Sequence, residues 1–169
     1  DDDKKAAGLT WVDDTVAPHD SRFYWGRDAD GALIARSLTD INHTWTQEQI
    51  DSGEAPDGTS AGAAQLDIEG NQIVTLGLKT NAIALAKRQA AGLLAPYDWY
   101  VVRKVETDVA IPSTITTYRA AVRTACAAIE TKISNAADLA AFMALYDAPV
   151  DSDGKPTGNA PVVDWPDAL

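Results

Sequence analysis

The chain has 169 residues and a formal net charge of −11, which allows one ordinary domain or two very small ones. That charge disfavours nucleic acid and anionic membrane as partners, because phosphate contacts need clustered Lys and Arg. No apolar run approaches the ~20 residues of a bilayer-crossing helix, and the single Cys126 excludes an internal disulfide, so a soluble acidic protein is expected.

In chain order, residues 1–20 read as an extended arm, with Trp11, Val12 and Val16 scattered among acidic residues. Asp1–Lys5 reads either as the remnant of a cleaved affinity tag or as a native arm ordered by a neighbour, since a free charged terminus frays. Residues 21–78 read as a β-hairpin region. Arg22–Trp25 and Leu33–Arg36 flank the acidic, Gly-containing turn Asp28–Gly31, and alternation places Phe23 and Trp25 on one face. Thr46 and Gln49 have capping-box spacing for a short helical turn. Residues 51–65, rich in Gly, Pro, Asp and Ser, read as a flexible surface loop. Leu66–Ile68 and Gln72–Leu76, around Glu69-Gly70-Asn71, form a second hairpin pattern. The two hairpins are expected to pair into one small antiparallel sheet, because a lone hairpin is barely stable.

Residues 79–148 read as a three-helix domain. Asn81 caps a first helix, Ala82–Leu94, which Gly92 and Pro96 end. Trp99–Thr107, with its Tyr and Val residues, reads as an extended piece in which Trp99 fills the gap between helices. Pro112-Ser113 opens a long helix with the stripe Ile115, Tyr118, Val122, Ala125, Ile129 and Ile133. Asn135 with Asp138 reads as a cap for a third helix carrying Leu139, Phe142, Met143 and Tyr146, antiparallel to the second. Residues 149–169 read as an extended C-terminal tail, whose Trp165-Pro166 either folds back on the helices or inserts into another subunit. The fold class is therefore α+β, with arms at both ends.

Catalytic chemistry finds no constellation here. Asp28-x-Asp30-Gly31 and Asp151-x-Asp153-Gly154 resemble pieces of calcium loops but lack the closing Glu, and read as acidic turns. His19 and His43 stand alone, no phosphate-binding Gly loop is present, and Cys126 reads as a small buried hydrophobe. No metal, cofactor or catalytic residue is expected. Arg119 and Arg123, one turn apart, need an acidic neighbour. Asp98, Glu106 or Asp108 would supply it internally; a partner's acidic surface is the alternative.

Arg88, Leu93-Leu94, Asp98-Trp99, Tyr118-Arg119, Val122-Arg123 and Trp165-Pro166 follow one another in an order that resembles the small domain of bacteriophage tail assembly chaperone-like and tail-fibre-associated proteins. The resemblance covers about the last half of the chain. It departs from the family in the long Ala-rich helix and the Leu139–Tyr146 helix inserted before Trp-Pro. With the strand-rich Arg22–Gly26 ahead of it, the whole is similar to tail proteins of cyanobacterial and other aquatic phages. The resemblance implies a non-enzymatic structural or adaptor component of a phage tail, baseplate or tail fibre, made in the host cytoplasm and resident in the virion. Its partners would be other tail or fibre proteins and copies of itself. A transient tail or fibre assembly chaperone is the alternative, and a non-phage adaptor or an enzyme on an unrecognised fold a third. Trp11, Phe23, Trp25, Trp165 and Pro166 are the expected partner-binding residues. Arg88, Leu94, Asp98, Trp99, Tyr118, Arg119 and Arg123 are the structural motif.

Overall fold

Backbone hydrogen-bonding groups that cannot reach water must pair locally, and in this chain short acidic turns do much of that pairing. The computed structural model describes residues 18–169, which divide into two units between Ala35 and Arg36, inside the stretch read as one hairpin region. The arm around Trp11 lies outside the described residues.

The first unit holds the antiparallel hairpin of β1 (Tyr24–Arg27) and β2 (Leu33–Ala35). Its register slips between Tyr24 and Gly26, a bulge that undoes the expected alternation. Phe23 is 3% exposed and Trp25 63%, so the two aromatics do not share a face.

In the second unit, β3 (Ile41–Asn42) pairs antiparallel with β4 (Val74–Thr75). Two further bridges, Thr44 with Ala64 and Leu66 with Gln72, extend this into a ladder of very short pairings. The expected single sheet is thus two separate two-stranded ones. Val74 finds its strand partner in Ile41–Asn42, a stretch too short to show any period. Between the bridges, α1 (Gln47–Asp51) starts at Thr46 with the capping box in place. The 51–65 loop is fastened at its base, where Trp45 donates to the Ala63 carbonyl and Gly62 to the Trp45 carbonyl, both at 2.9 Å.

Three turns share one geometry. At Asp28, Asp67 and Asp151, Oδ1 accepts the N–H groups two and four residues on, at 2.8–3.0 Å, and the residue three on is a glycine at φ 77° to 85°. Each carboxylate thereby replaces backbone partners that a five-residue turn lacks. The acidic character that resembles calcium loops is explained by this internal use. At Asp67 the N–H of Asn71 above all holds the carboxyl below its ordinary range.

The core lies between α2 (Leu78–Leu94) and α4 (Ser113–Asn135). On α2 the buried residues are Leu78, Ala82, Ala86 and Ala90, an all-but-pure alanine row in steps of four. On α4 they are Ile115, Tyr118, Val122, Ile129 and Ile133. Small side chains on one helix leave space for the large ones on the other, which keeps the interior densely filled. Lys79 Nζ donates to the Ser134 carbonyl at 2.9 Å and Arg119 Nη1 to the Leu94 carbonyl at 3.2 Å, so the helices run antiparallel. Helix α4 packs mainly on α2, and its expected antiparallel pairing with α5 (Leu139–Ala144) is minor beside that. Asp138 alone caps α5, accepting from Ala141 N–H at 2.8 Å, and Asn135 is the last residue of α4. Phe142 anchors α5 with no exposure.

Two further expectations are corrected. Helix α2 begins four residues before Ala82, at Leu78, because the connection between β2 and β3 supplies acceptors: Leu78 N–H meets Ser37 O at 2.9 Å and Lys79 N–H meets Leu38 O at 3.1 Å. Asn81 then sits inside the first turn and donates to the Leu76 and Gly77 carbonyls. Second, the extended piece is a helix, α3 (Asp98–Thr107), entered through a 3₁₀ turn over Ala95–Tyr97 with Pro96. Its ends outweigh the β preference of Tyr-Val-Val. Asp98 lies in the first turn, where the helix dipole favours an anion, and Asp108, at φ 56°, closes the last turn through its N–H to Lys104 O. The C-terminal region thus has four helices instead of three. The tail is not extended either. It forms a small hairpin, with a bridge between Val150 and Pro156, then a 3₁₀ turn over Pro161–Val163.

Candidate interaction surfaces

The motif residues divide into an internal latch and an outer face. Arg119 Nη1 lies 2.7 Å from Asp98 Oδ1 and 3.2 Å from the Leu94 carbonyl. One guanidinium thus closes the last turn of α2, whose terminal carbonyls lack helical partners, and ties it to the start of α3. The Arg119 side chain is 11% exposed, so the pair is sheltered on its cationic side. Below it, Tyr118 meets Tyr97 edge to face at 5.3 Å between ring centres, and Leu93 and Leu94 pack on the same cluster. Arg88 and Arg123 do not join this latch. Both are exposed and form no ion pair among the described residues.

Trp99 does not fill the gap between helices. It is 51% exposed, stacked on Tyr100 at 3.9 Å, with the Arg103 guanidinium 4.8 Å from its ring centre. The whole of α3 buries no residue. Val101, Val102 and Val105 occupy one arc of the helix and are exposed, Val105 at 81%, and Val109 follows just past the end. An amphipathic helix normally turns such an arc inward. Here the arc faces outward on a helix whose C-terminus is closed by Asp108 and whose N-terminus, without a side-chain cap, continues from the 3₁₀ turn.

Trp165 and Pro166 are half-buried on the helices of their own chain. Trp165 packs against the cluster of Ala90, Tyr118 and Val122, and Val162 N–H reaches Leu145 O at 3.2 Å. Of the two alternatives for the tail, folding back is the one observed. Beside Trp165 and Pro166 runs an open groove of about 450 Å³ against Ala121, Ala125 and Ala128 of α4, with the Lys132–Asp164 ion pair at 3.6 Å along its wall. A smaller apolar cavity of about 70 Å³ lies under Val162 and Val163, against Ala82, Leu85 and Ala86. A third concavity, about 400 Å³, is formed where the 51–65 loop wraps past Trp45 and Leu66.

Chemistry-bearing residues are dispersed. Cys126 is half-buried with Sγ 3.3 Å from Glu130 Oε1, and burial, reinforced by that carboxylate, pushes its thiol upward, away from nucleophilic form. His43 Nε2 is 2.7 Å from Thr75 Oγ1 and braces the β3–β4 pair. Among the described residues no three His, Cys, Asp or Glu side chains gather at metal-binding distance, and no helix is long and apolar enough to cross a membrane.

The residue that sequence reasoning missed is Asp40. Its Oδ1 accepts Gly77 N–H at 2.7 Å, and that hydrogen bond, with one from Thr80, holds its carboxyl below the ordinary range. Nothing in the local sequence marks it, because its partner is 37 residues away. No protein-family model, curated protein or solved structure matches the chain.

Proposed function

We propose that the chain is a non-enzymatic structural or adaptor component of a phage tail, baseplate or tail fibre, acting through protein contacts within an oligomeric assembly. The observation that carries the reading is α3, a helix that buries none of its residues while displaying Trp99, Val101, Val102 and Val105. It falls within the span of the motif residues whose order resembles the tail proteins. Exposed apolar side chains gathered on one short helix gain their energy only when another surface covers them. The partners are other tail or fibre proteins and copies of the same chain. The net charge of −11 argues against nucleic acid.

Particle composition tests this. In phage particles assembled with the encoding genome and washed in high salt, the chain should appear as a stoichiometric band. Absence from washed particles refutes a structural role. Absence combined with rescue of a tail protein's solubility on co-expression supports the transient chaperone instead, to which the same exposed helix would be suited.

A further inference from the structure

We propose that the C-terminal strap, residues 161–166, is an exchangeable plug, and that its seat on α2 and α4 accepts the same segment from a second copy of the chain. The strap itself shows the chemistry of the occupant. Trp165 lies on the Ala90–Tyr118–Val122 cluster, and Val162 and Val163 cover the small apolar cavity beside Ala82 and Ala86. Its polar attachments are slight. They are the Val162–Leu145 hydrogen bond and the Lys132–Asp164 pair, whose side chains are 42% and 60% exposed and therefore open to screening by salt. The seat is also incompletely filled, since the groove beside Trp165 remains open along α4.

The connection to the strap is built to lift away. Between Leu145 and Pro161 the chain folds on itself. Asp151 N–H bonds to Lys155 O at 2.9 Å, Thr157 N–H to Pro149 O at 2.7 Å, and the Asp151 carboxylate serves its own turn. With the hinge at Ala148, raising this hairpin leaves the Tyr146 and Asp147 bonds to the Met143 and Ala144 carbonyls and the Tyr146–Phe142 ring contact in place. Fully extended, which also requires the hairpin's own bonds to break, residues 148–160 span up to ~43 Å, enough to reach a neighbour's seat. Contacts made in exchange are the same as those made within one chain, so effective concentration decides between them. A short flexible linker gives an internal effective concentration of about millimolar. The dilute chain therefore stays closed, and exchange becomes competitive where copies are packed together. Nothing in this exchange depends on which assembly the chain serves.

Two full-length chains test it, both carrying Cys126→Ser, one with Ala128→Cys and the other with Pro166→Cys, positions that face the same groove. They are mixed in a mild thiol–disulfide buffer from about 10 µM to about 1 mM, bracketing the expected internal concentration. A disulfide-linked heterodimer should form with a yield that climbs by roughly 25- to 50-fold over that range, in proportion to concentration until it nears the effective one. Moving the acceptor cysteine from Ala128 to the exposed Arg123, off the groove, should cut it several-fold. Absence of heterodimer at the highest concentration overturns the proposal, as does a yield indifferent to the position of the acceptor cysteine, which marks random collision. A single chain bearing both cysteines should close internally when dilute. Failure to do so overturns the seating from which exchange starts, and Ala125→Cys provides a second pairing if Ala128→Cys disturbs the helix.

Discussion

Gly77 precedes α2 and Gly92 lies within its last turn, and alanine should act oppositely at the two positions. Gly77 has φ −70° and ψ 167°, a conformation open to any residue, so backbone strain is not at issue. A Cβ placed there would nevertheless stand 2.4 Å from the Thr39 carbonyl carbon and 2.6 Å from the Leu38 and Thr39 oxygens, all backbone atoms. Since carbon atoms pack at about 3.5–4 Å, the 38–39 segment must retreat by roughly 1 Å. That segment carries the start of the helix: Ser37 O and Leu38 O accept from Leu78 and Lys79, and Asp40 accepts from Gly77. Losing or stretching two of these, one of them charge-assisted, costs about 2–4 kcal/mol. Gly92, inside the same helix, has nothing within 4 Å of its Cβ position, so Gly92→Ala should stabilise by about 0.8–1 kcal/mol through helix propensity. Gly77→Ser sharpens the contrast, because capping preference alone predicts a slight gain and the close approach predicts a loss. Urea unfolding followed by helical circular dichroism reads all three, with unchanged m-values required for comparison. A Gly77→Ala midpoint at or above wild type would refute the steric account.

Arg119→Ala should cost about 1–3 kcal/mol, because the Leu94 carbonyl and Asp98 both lose their donor, whereas Asp98→Asn, on the exposed side of the pair, should cost under about 1. Equal losses in urea titrations would show that the ion pair alone matters. Trp99→Ala should change the unfolding midpoint by no more than about 1 kcal/mol, far from the ~3–5 of a filled core position, while weakening incorporation into assemblies. A large thermal loss with normal incorporation would place Trp99 in the chain's own core. Asp40 has its folded pKa depressed by the Gly77 N–H. Its contribution is therefore present above its ordinary value of 3.8 and is lost as pH falls through the lower folded value. Asp40→Asn should flatten the acid limb of the stability–pH curve below about pH 4; an identical limb in both proteins would exclude the linkage.

What could be read without the structure was whatever repeats at short range. The Ile115–Ile133 stripe, the Thr46–Gln49 box, the Pro112-Ser113 start and the acidic turns all depend on neighbours within a few residues, and all are present. Pairings that depend on distant chain were hidden. Val74 pairs with Asn42 across 32 positions, Asp40 holds Gly77 across 37, and α4 packs mainly on the alanine row of α2 rather than the nearer α5. Among the candidate residues, Arg119 met Asp98 because both obey the chemistry of a buried-edge guanidinium and a nearby carboxylate. Phe23 and Trp25 parted because a bulge adds one residue to a strand, and a single added residue sends the next side chain to the opposite face. The conformation of α3 was misread since Tyr-Val-Val carries strand preference in any window, and the deciding groups, Asp98 and Asp108, lie at its margins.

The same helix is ordered although none of its residues is buried. A ten-residue helix is marginal in water, since nucleation is costly and each end leaves backbone groups unpaired. Packing does not compensate here, because no residue of α3 is buried. Local devices do. Asp98 faces the positive end of the dipole and is gripped by Arg119, Thr107 Oγ1 bonds to the Arg103 carbonyl at 2.7 Å, and Lys104 pairs with Asp108 at 2.6 Å across the final turn. Trp99, Tyr100 and Arg103 stack along one side. These contacts order the helix while leaving Val101, Val102 and Val105 uncovered. A partner that covers them therefore does not pay the ordering entropy of the segment, and its apolar contact converts more fully into affinity.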